Sequence, residues 1–496
     1  MSRRDFPIAE MSILSGVAVV ALLTGIATAT VSMKFVLGSV ALFALLAIWL
    51  IRERRVDRLP LVYYGFFILL IFSSLLPTSV NLPLQLGALG GAICAWLLQP
   101  KAVRRGGPVV GWAVAITCFW FLLMFNDNIP SVSVGILGFR KSVLALGGLI
   151  LGCSIAAAQV RSAEALVIRT LTAGLAISII GRLWIPALDD IGADKSADSY
   201  TALFDGARRL QGIFAGPFHV AVCGVFLLGW CLVRFRRHKI EASLVGLVSI
   251  VATYLTLVRT AYVAIVVVVL VYMLISPRFE KFLMRAAGTL VATLLLAYIV
   301  LTEDSGLASV ANSLGQISSD GRFLNRFPEY ILSWNLFLAS PLWGWGAGSA
   351  GDVMGQFFGP DRVHVTAHNL VFKIMVEGGM IGLLLWAGLF TVLILSIIVR
   401  SDSGALALIS LAGLTPFALT GSAIEALPVS YVVFFAVGLA VTRQRSKERV
   451  IVHSADKSMS QVHSRRATVR RSALNDGTTN GFGKGSTSEL RIDGHE

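Results

Sequence analysis

Charge is scarce in this chain. Only 14% of its 496 residues are Asp, Glu, Lys or Arg, against 56% hydrophobic residues. A soluble protein of this composition would need over a dozen fully buried helices with almost no amphipathic surface, so that class is set aside. The five cysteines, Cys94, Cys118, Cys153, Cys223 and Cys231, all lie in apolar runs without CxxC spacing. This excludes a disulfide frame or a cysteine metal site and leaves small core residues. No internal repeat is detectable, which weakens an inverted-repeat transporter. The basic N-terminus, Ser2-Arg3-Arg4 before an apolar run, lacks a convincing small-residue cleavage site and reads as a retained first helix.

What the chain does have is long apolar runs, recurring from Met11 to about Val441. About 20 such residues cross a ~30 Å hydrocarbon core as a helix. Fourteen runs are expected, at 11–30, 35–51, 60–77, 82–98, 109–125, 142–159, 165–185, 213–233, 241–257, 260–275, 286–302, 370–399, 404–420 and 427–442. The fold class is therefore all-α, a polytopic transmembrane bundle of 12–14 spans. With the N-terminus inside, about 30 of the 42 Lys and Arg fall on the inner side and about 10 outside. The net charge of +14 thus orients the protein in a plasma (inner) membrane, both termini cytoplasmic, and does not point to nucleic acid.

Residues 1–442 form the expected membrane domain. The tail, 443–496, is rich in Ser, Arg, Gly and Asn and is expected to be disordered, its charge near anionic headgroups. Outer connections are the long ones: 126–141, 186–212 and above all 303–368. Chemistry is expected where the extra sequence sits, on the outer face.

Within the large loop, "DGRFLNRFPEYILSWNLFLASP" has helical spacing. Phe323, Leu324, Phe327, Ile331, Trp334, Phe337 and Leu338 share one face, and Arg322, Arg326 and Glu329 the other. Such a helix can lie in the membrane interface. Two guanidiniums one turn apart suit a diphosphate, although a solvated face with an Arg–Glu pair fits the spacing equally. "PLWGWGAGS" (341–349) could form an anion nest, but lacks the lysine and strand of a nucleotide loop. Arg259 stands between two apolar runs at their outer ends, either snorkelling or facing a polar cavity. Arg208 and Arg209 lie at the same level. His219, about two turns into the next helix, reads as a satisfied polar contact.

His368 and Asn369 open the twelfth run, where a neutral imidazole can take a proton from a hydroxyl. The alternative is a helix cap followed by a glycine kink. Glu377, two turns deeper, could orient His368 or an acceptor, and Lys373 has no evident neighbour. No Asp-x-Asp pair occurs on the outer side to hold a metal. Arginines, a histidine and a hydrophobic platform together suit a lipid-linked diphosphate and an attacking sugar hydroxyl.

The succession of motifs resembles the O-antigen ligase/polymerase family over about residues 200–390. The pattern R-x-x-G-x-F-x-x-P-N-x-x-A is matched at Arg209, Gly212, Phe214, Pro217 and Ala221, with Phe218 in place of Asn. Val258-Arg259-Thr260-Ala261-Tyr262 is similar to S-R-[GT]-A-Y, with Val for Ser. Arg322, Pro341, Gly344 and Gly346 match a third block. His368, Asn369, Phe372, Glu377, Gly379 and Gly382 match a fourth.

The resemblance implies an inverting, metal-independent glycosyltransferase without cofactor, acting on a polyprenyl-diphosphate-linked glycan. Arg259, Arg322 and His368 would be catalytic. Arg209, Arg208, Arg326, Asn369 and Glu377 would bind donor or acceptor, and the acceptor would be a sugar hydroxyl on a lipid-linked glycan or lipid. A surface-polysaccharide polymerase is the leading expectation, an O-antigen ligase the alternative. A flippase is the rival from another class, disfavoured because the charges sit at the rim and not at mid-span.

Overall fold

The computed structural model describes residues 70, 73, 78–97, 107–155, 159–184, 203–204, 207–214, 216–235, 237–275, 326–351, 354–397 and 402–442. All lie in the first of two compact units, Met1–Gln444. The runs expected at 11–30, 35–51 and 286–302, all of 60–77 but Leu70 and Ser73, the tail, and Arg322, Phe323 and Leu324 fall outside the described residues.

Eleven α-helices occur among those residues. They are α1 Thr78–Leu97, α2 Gly107–Leu123, α3 Val132–Ser154, α4 Val160–Trp184, α5 Pro217–Arg234, α6 Lys239–Thr256, α7 Arg259–Ile275, α8 Arg326–Ala339, α9 Leu370–Ile397, α10 Asp402–Thr420 and α11 Val429–Thr442. Helices α3, α4, α5, α6 and α9 are long and apolar enough to cross a membrane, and five shorter apolar helices accompany them. The all-α polytopic bundle stands. A two-residue antiparallel hairpin, Leu203–Phe204 with Ala207–Arg208, is a local addition.

Two helix starts that differ from expectation change the placing of polar residues. Helix α3 begins at Val132, because Ser131 caps it by accepting the Val134 amide (3.4 Å), so Arg140 and Lys141 belong to a helix and not to a loop. Helix α5 begins at Pro217, where a proline's missing N–H costs nothing. His219 is therefore in the first turn of α5, not two turns inside it.

Small residues set the helix spacing. A side chain at Gly148 or Gly152 would strike the carbonyls of Tyr431 or Phe435, and one at Gly438 that of Leu149. Backbones of α3 and α11 thus approach closely, which substitutes for a hydrophobic driving force between helices in lipid. Opposite faces carry exposed apolar stripes, such as Leu244, Leu247 and Ile250 on α6 and Val263, Val266 and Leu270 on α7. Helix α8 likewise exposes Phe327, Ile331, Trp334 and Leu338 while burying Ser333 and Phe337. Its apolar side faces away from the bundle.

Candidate functional site

One end of the bundle gathers the segments that the charge pattern assigns to the outer face. Asn128 Nδ2 donates to the Val363 carbonyl (2.9 Å) and its Oδ1 accepts from the Val363 amide (2.8 Å). The Ala347 amide reaches the Leu123 carbonyl (3.1 Å). The opposite end is closed by Arg234, paired with Glu164 through Nε (2.8 Å) and Nη2 (2.7 Å), while Trp230 Nε1 donates to the same carboxylate.

At the gathered end, a chain of contacts converges on the last turn of α10. Arg209 Nε donates to the Thr256 carbonyl (2.9 Å), where α6 stops. Leu257 takes a left-handed conformation (φ 50°) and allows α7 to begin almost at once with Arg259. The next hydroxyl, Thr260 Oγ1, lies 3.0 Å from Thr420 Oγ1 on α10. One residue earlier, the Leu419 carbonyl accepts from Asn369 Nδ2 (3.2 Å). Asn369 Oδ1 in turn accepts the Val371 amide (2.8 Å), making Asn369 the N-cap of α9. Tyr330 Oη, from α8, donates to the His368 carbonyl (3.4 Å), and its ring stacks on Phe372 at 5.3 Å. Arg326 is one turn before Tyr330.

Arg209, Arg259, Arg326 and His368, scattered over about 160 residues of sequence, thus lie on segments that these contacts join, and each is half-buried. Arg208 is placed by its backbone, in the short hairpin opposite Leu203, and its side chain lies outside the described residues, as does all of Arg322.

A second polar cluster lies one to two turns deeper on α9. Lys373, 1% exposed, donates to Glu377 Oε1 (2.5 Å) and the Ala350 carbonyl (2.7 Å), and its Nζ lies 2.7 Å from Glu425 Oε1. Glu377, fully buried, also accepts from Trp120 Nε1 (2.9 Å), Ser142 Oγ (2.7 Å) and the Gly348 amide (3.0 Å). The anion held by the glycine-rich segment is therefore an internal carboxylate. Glu377 is engaged by these four donors and not by His368.

The same segment also mends a break in α9. Gly379 leaves the helical path (φ 59°, ψ −154°). The freed carbonyls of Val376 and Glu377 accept the amides of Trp345 (2.8 Å) and Gly346 (3.0 Å), and the Met380 amide finds the Pro341 carbonyl (2.8 Å). Unsatisfied backbone at membrane depth would cost several kcal/mol, so a protein segment takes the place of water. A Cβ at Gly344 would come within 2.5 Å of the Glu377 carbonyl, which accounts for glycine there.

His364, in the loop above, stacks near Phe358 at 5.0 Å. Burial, with the Lys373 ammonium adding to it, lowers its pKa to about 4. It is a neutral imidazole at physiological pH.

Sequence reasoning missed His364, Glu425, Tyr330 and the donors to Glu377. The only available signal was the i, i+4 spacing of Lys373 and Glu377, which places the two on one helix face.

Residues 244–387 match the family model described as O-antigen ligase. No curated protein matches the chain.

Proposed function

We propose that this membrane protein of O-antigen ligase type is an inverting glycosyltransferase that polymerises polyprenyl-diphosphate-linked oligosaccharide units on the outer face of the plasma membrane. The observation that supports the reading is that the segments carrying Arg209, Arg259 and His368 are joined at one end of the bundle, through Arg209 to the end of α6 and through Thr260 and Asn369 to the last turn of α10. A diphosphate leaving group needs cationic, forked donors, and a hydroxyl nucleophile needs a base beside it. The segments that carry both types of group meet at one end of the bundle, which supports this reading.

In the reaction, the acceptor hydroxyl loses its proton to the His368 imidazole as its oxygen bonds to the anomeric carbon of the donor. The bond from that carbon to the diphosphate oxygen breaks, and the electron pair leaves with the polyprenyl diphosphate. Guanidiniums of Arg259, Arg209 and, from the loop, Arg322 and Arg326 offset the developing charge. Attack opposite the leaving group inverts the anomeric centre. The exposed apolar face of α8 rests in the membrane interface, where the polyprenyl chain also lies.

The test is incubation of purified protein with a polyprenyl-diphosphate glycan, with and without a lipid acceptor, reading product length on a gel. A ladder is the expected product. A single glycan added to lipid identifies a ligase instead, and movement of intact donor across a vesicle membrane without product identifies a flippase. Loss of the ladder in His368→Ala and Arg259→Ala is expected; undiminished synthesis in both overturns the assignment.

A further inference from the structure

The buried lysine of α9 stands one turn below the proposed base, and nothing in the proposed reaction uses it. Placing a lysine at 1% exposure inside an apolar bundle is costly unless every donor is matched. Two hydrogen bonds and one ion pair tie it to three different elements: the loop at Ala350, α9 itself at Glu377, and the short 3-10 turn Ala423–Glu425.

Glu377 does not require this lysine, since Trp120, Ser142 and the Gly348 amide already serve it. What Lys373 adds is the junction of α9 with Glu425 and Ala350, at a carboxylate on which the Arg140 guanidinium of α3 also acts. The approach is close enough to constrain sequence: a Cβ on Gly351 (φ 135°) would collide with Glu425 Oε1 and lie 3.1 Å from Lys373 Nζ.

The location of that junction gives it a consequence. The Lys373 amide bonds to the Asn369 carbonyl (3.0 Å) in the first turn of α9. Glu425 follows α10 by a few residues, its amide bonded to the Ser422 carbonyl (2.8 Å). The Asn369–Leu419 hydrogen bond is a first tie between the start of α9 and the end of α10, and Lys373–Glu425 is a second. One tie is a pivot; two ties fix an angle. The α10 end also meets Thr260, beside Arg259.

We infer that Lys373 is a positioning residue, which by joining Glu425 and Ala350 to α9 holds the His368–Asn369 corner in register with the α10 end and with Arg259. The inference rests on the reading of His368 as base. Misplacement of a reacting group by about 1 Å can cost on the order of 10²-fold in rate, so the junction acts on turnover and not on donor capture.

The decisive variant is Lys373→Met/Glu425→Gln, which removes both ends of the tie without a change in net charge and leaves Glu377 to Trp120, Ser142 and the Gly348 amide. Glu425→Ala is a gentler companion that keeps the neutral Lys373–Glu377 pair and loses one arm. Each is purified, its folded fraction and melting temperature measured, and kcat and KM for the polyprenyl-diphosphate glycan determined per folded molecule. The expected result is a fall in kcat of roughly 10- to 100-fold for the double variant, and a smaller fall for Glu425→Ala, with KM within about twofold of wild type. Unchanged kcat per folded molecule, or a rise in KM alone, overturns the inference and reduces Lys373 to a structural ion pair. A wild-type protein without product, or a His368→Ala variant as active as wild type, instead overturns the functional reading itself.

Discussion

Two polar clusters share the start of α9, and they are built on opposite plans. Around His368, cationic side chains sit half-buried on segments that backbone carbonyls and threonine hydroxyls join. Around Lys373, itself 1% exposed, a fully buried Glu377 and a largely buried Glu425 face the ammonium. The first plan leaves its cations partly exposed. The second pairs its charge internally. The difference shows that charged residues on one helix can serve two purposes, and that exposure separates them.

Breaking the inner cluster should unfold the protein, whereas breaking the rim should only silence it. Lys373→Met leaves the fully buried Glu377 without its ammonium and is expected to cost about 3–5 kcal/mol, read as loss of monodisperse protein on size-exclusion in detergent. A variant that melts like wild type would show that the pair contributes little. His368→Ala is expected to lower turnover about 10²- to 10⁴-fold with the melting temperature unchanged; a parallel loss of stability would assign His368 to the packing instead.

A smaller effect sharpens the boundary between the clusters. Asn369 is both the cap of α9 and the tie to Leu419, so Asn369→Ala should destabilise by about 1 kcal/mol in a denaturant titration. No change there would mean that the cap is redundant with Lys373 below it.

The smallest effect is a pH dependence. His364 is neutral in the folded state down to about pH 4, while the unfolded chain takes up its proton near 6.5. Its contribution is therefore fully present above that upper value and is lost as the pH falls toward the lower one. Melting temperatures at about pH 7.5 and about pH 5 should differ less in His364→Gln than in wild type. Equal differences would place the acid sensitivity elsewhere.

Much of the fold is legible without coordinates, because a hydrocarbon solvent leaves a strong one-dimensional signal: ten of the apolar runs coincide with helices. The miss at α3 came from treating Arg140 and Lys141 as loop residues; the Ser131 cap outweighs them. The motif residues at the rim were legible as types, but the sequence held no hint that the end of α10 is their meeting point. Lys373 stood unexplained because its partner Glu425 lies beyond a whole span. The glycine-rich segment was read as a possible nest for a ligand, and the carboxylate it holds was on the next helix.

The internal Lys373–Glu377 pair also bears on how the chain is made. Growth runs from N- to C-terminus, so Pro341–Gly346 emerges before α9, and Glu425 after it. Each lone charge in a span costs about 2.5–3.5 kcal/mol at insertion. With Glu377 one turn from Lys373, α9 is inserted carrying its own counter-ion, and the segment that seals its break at Gly379 is already made. Glu425 arrives last, as a latch closed only when the neighbouring hairpin is in place.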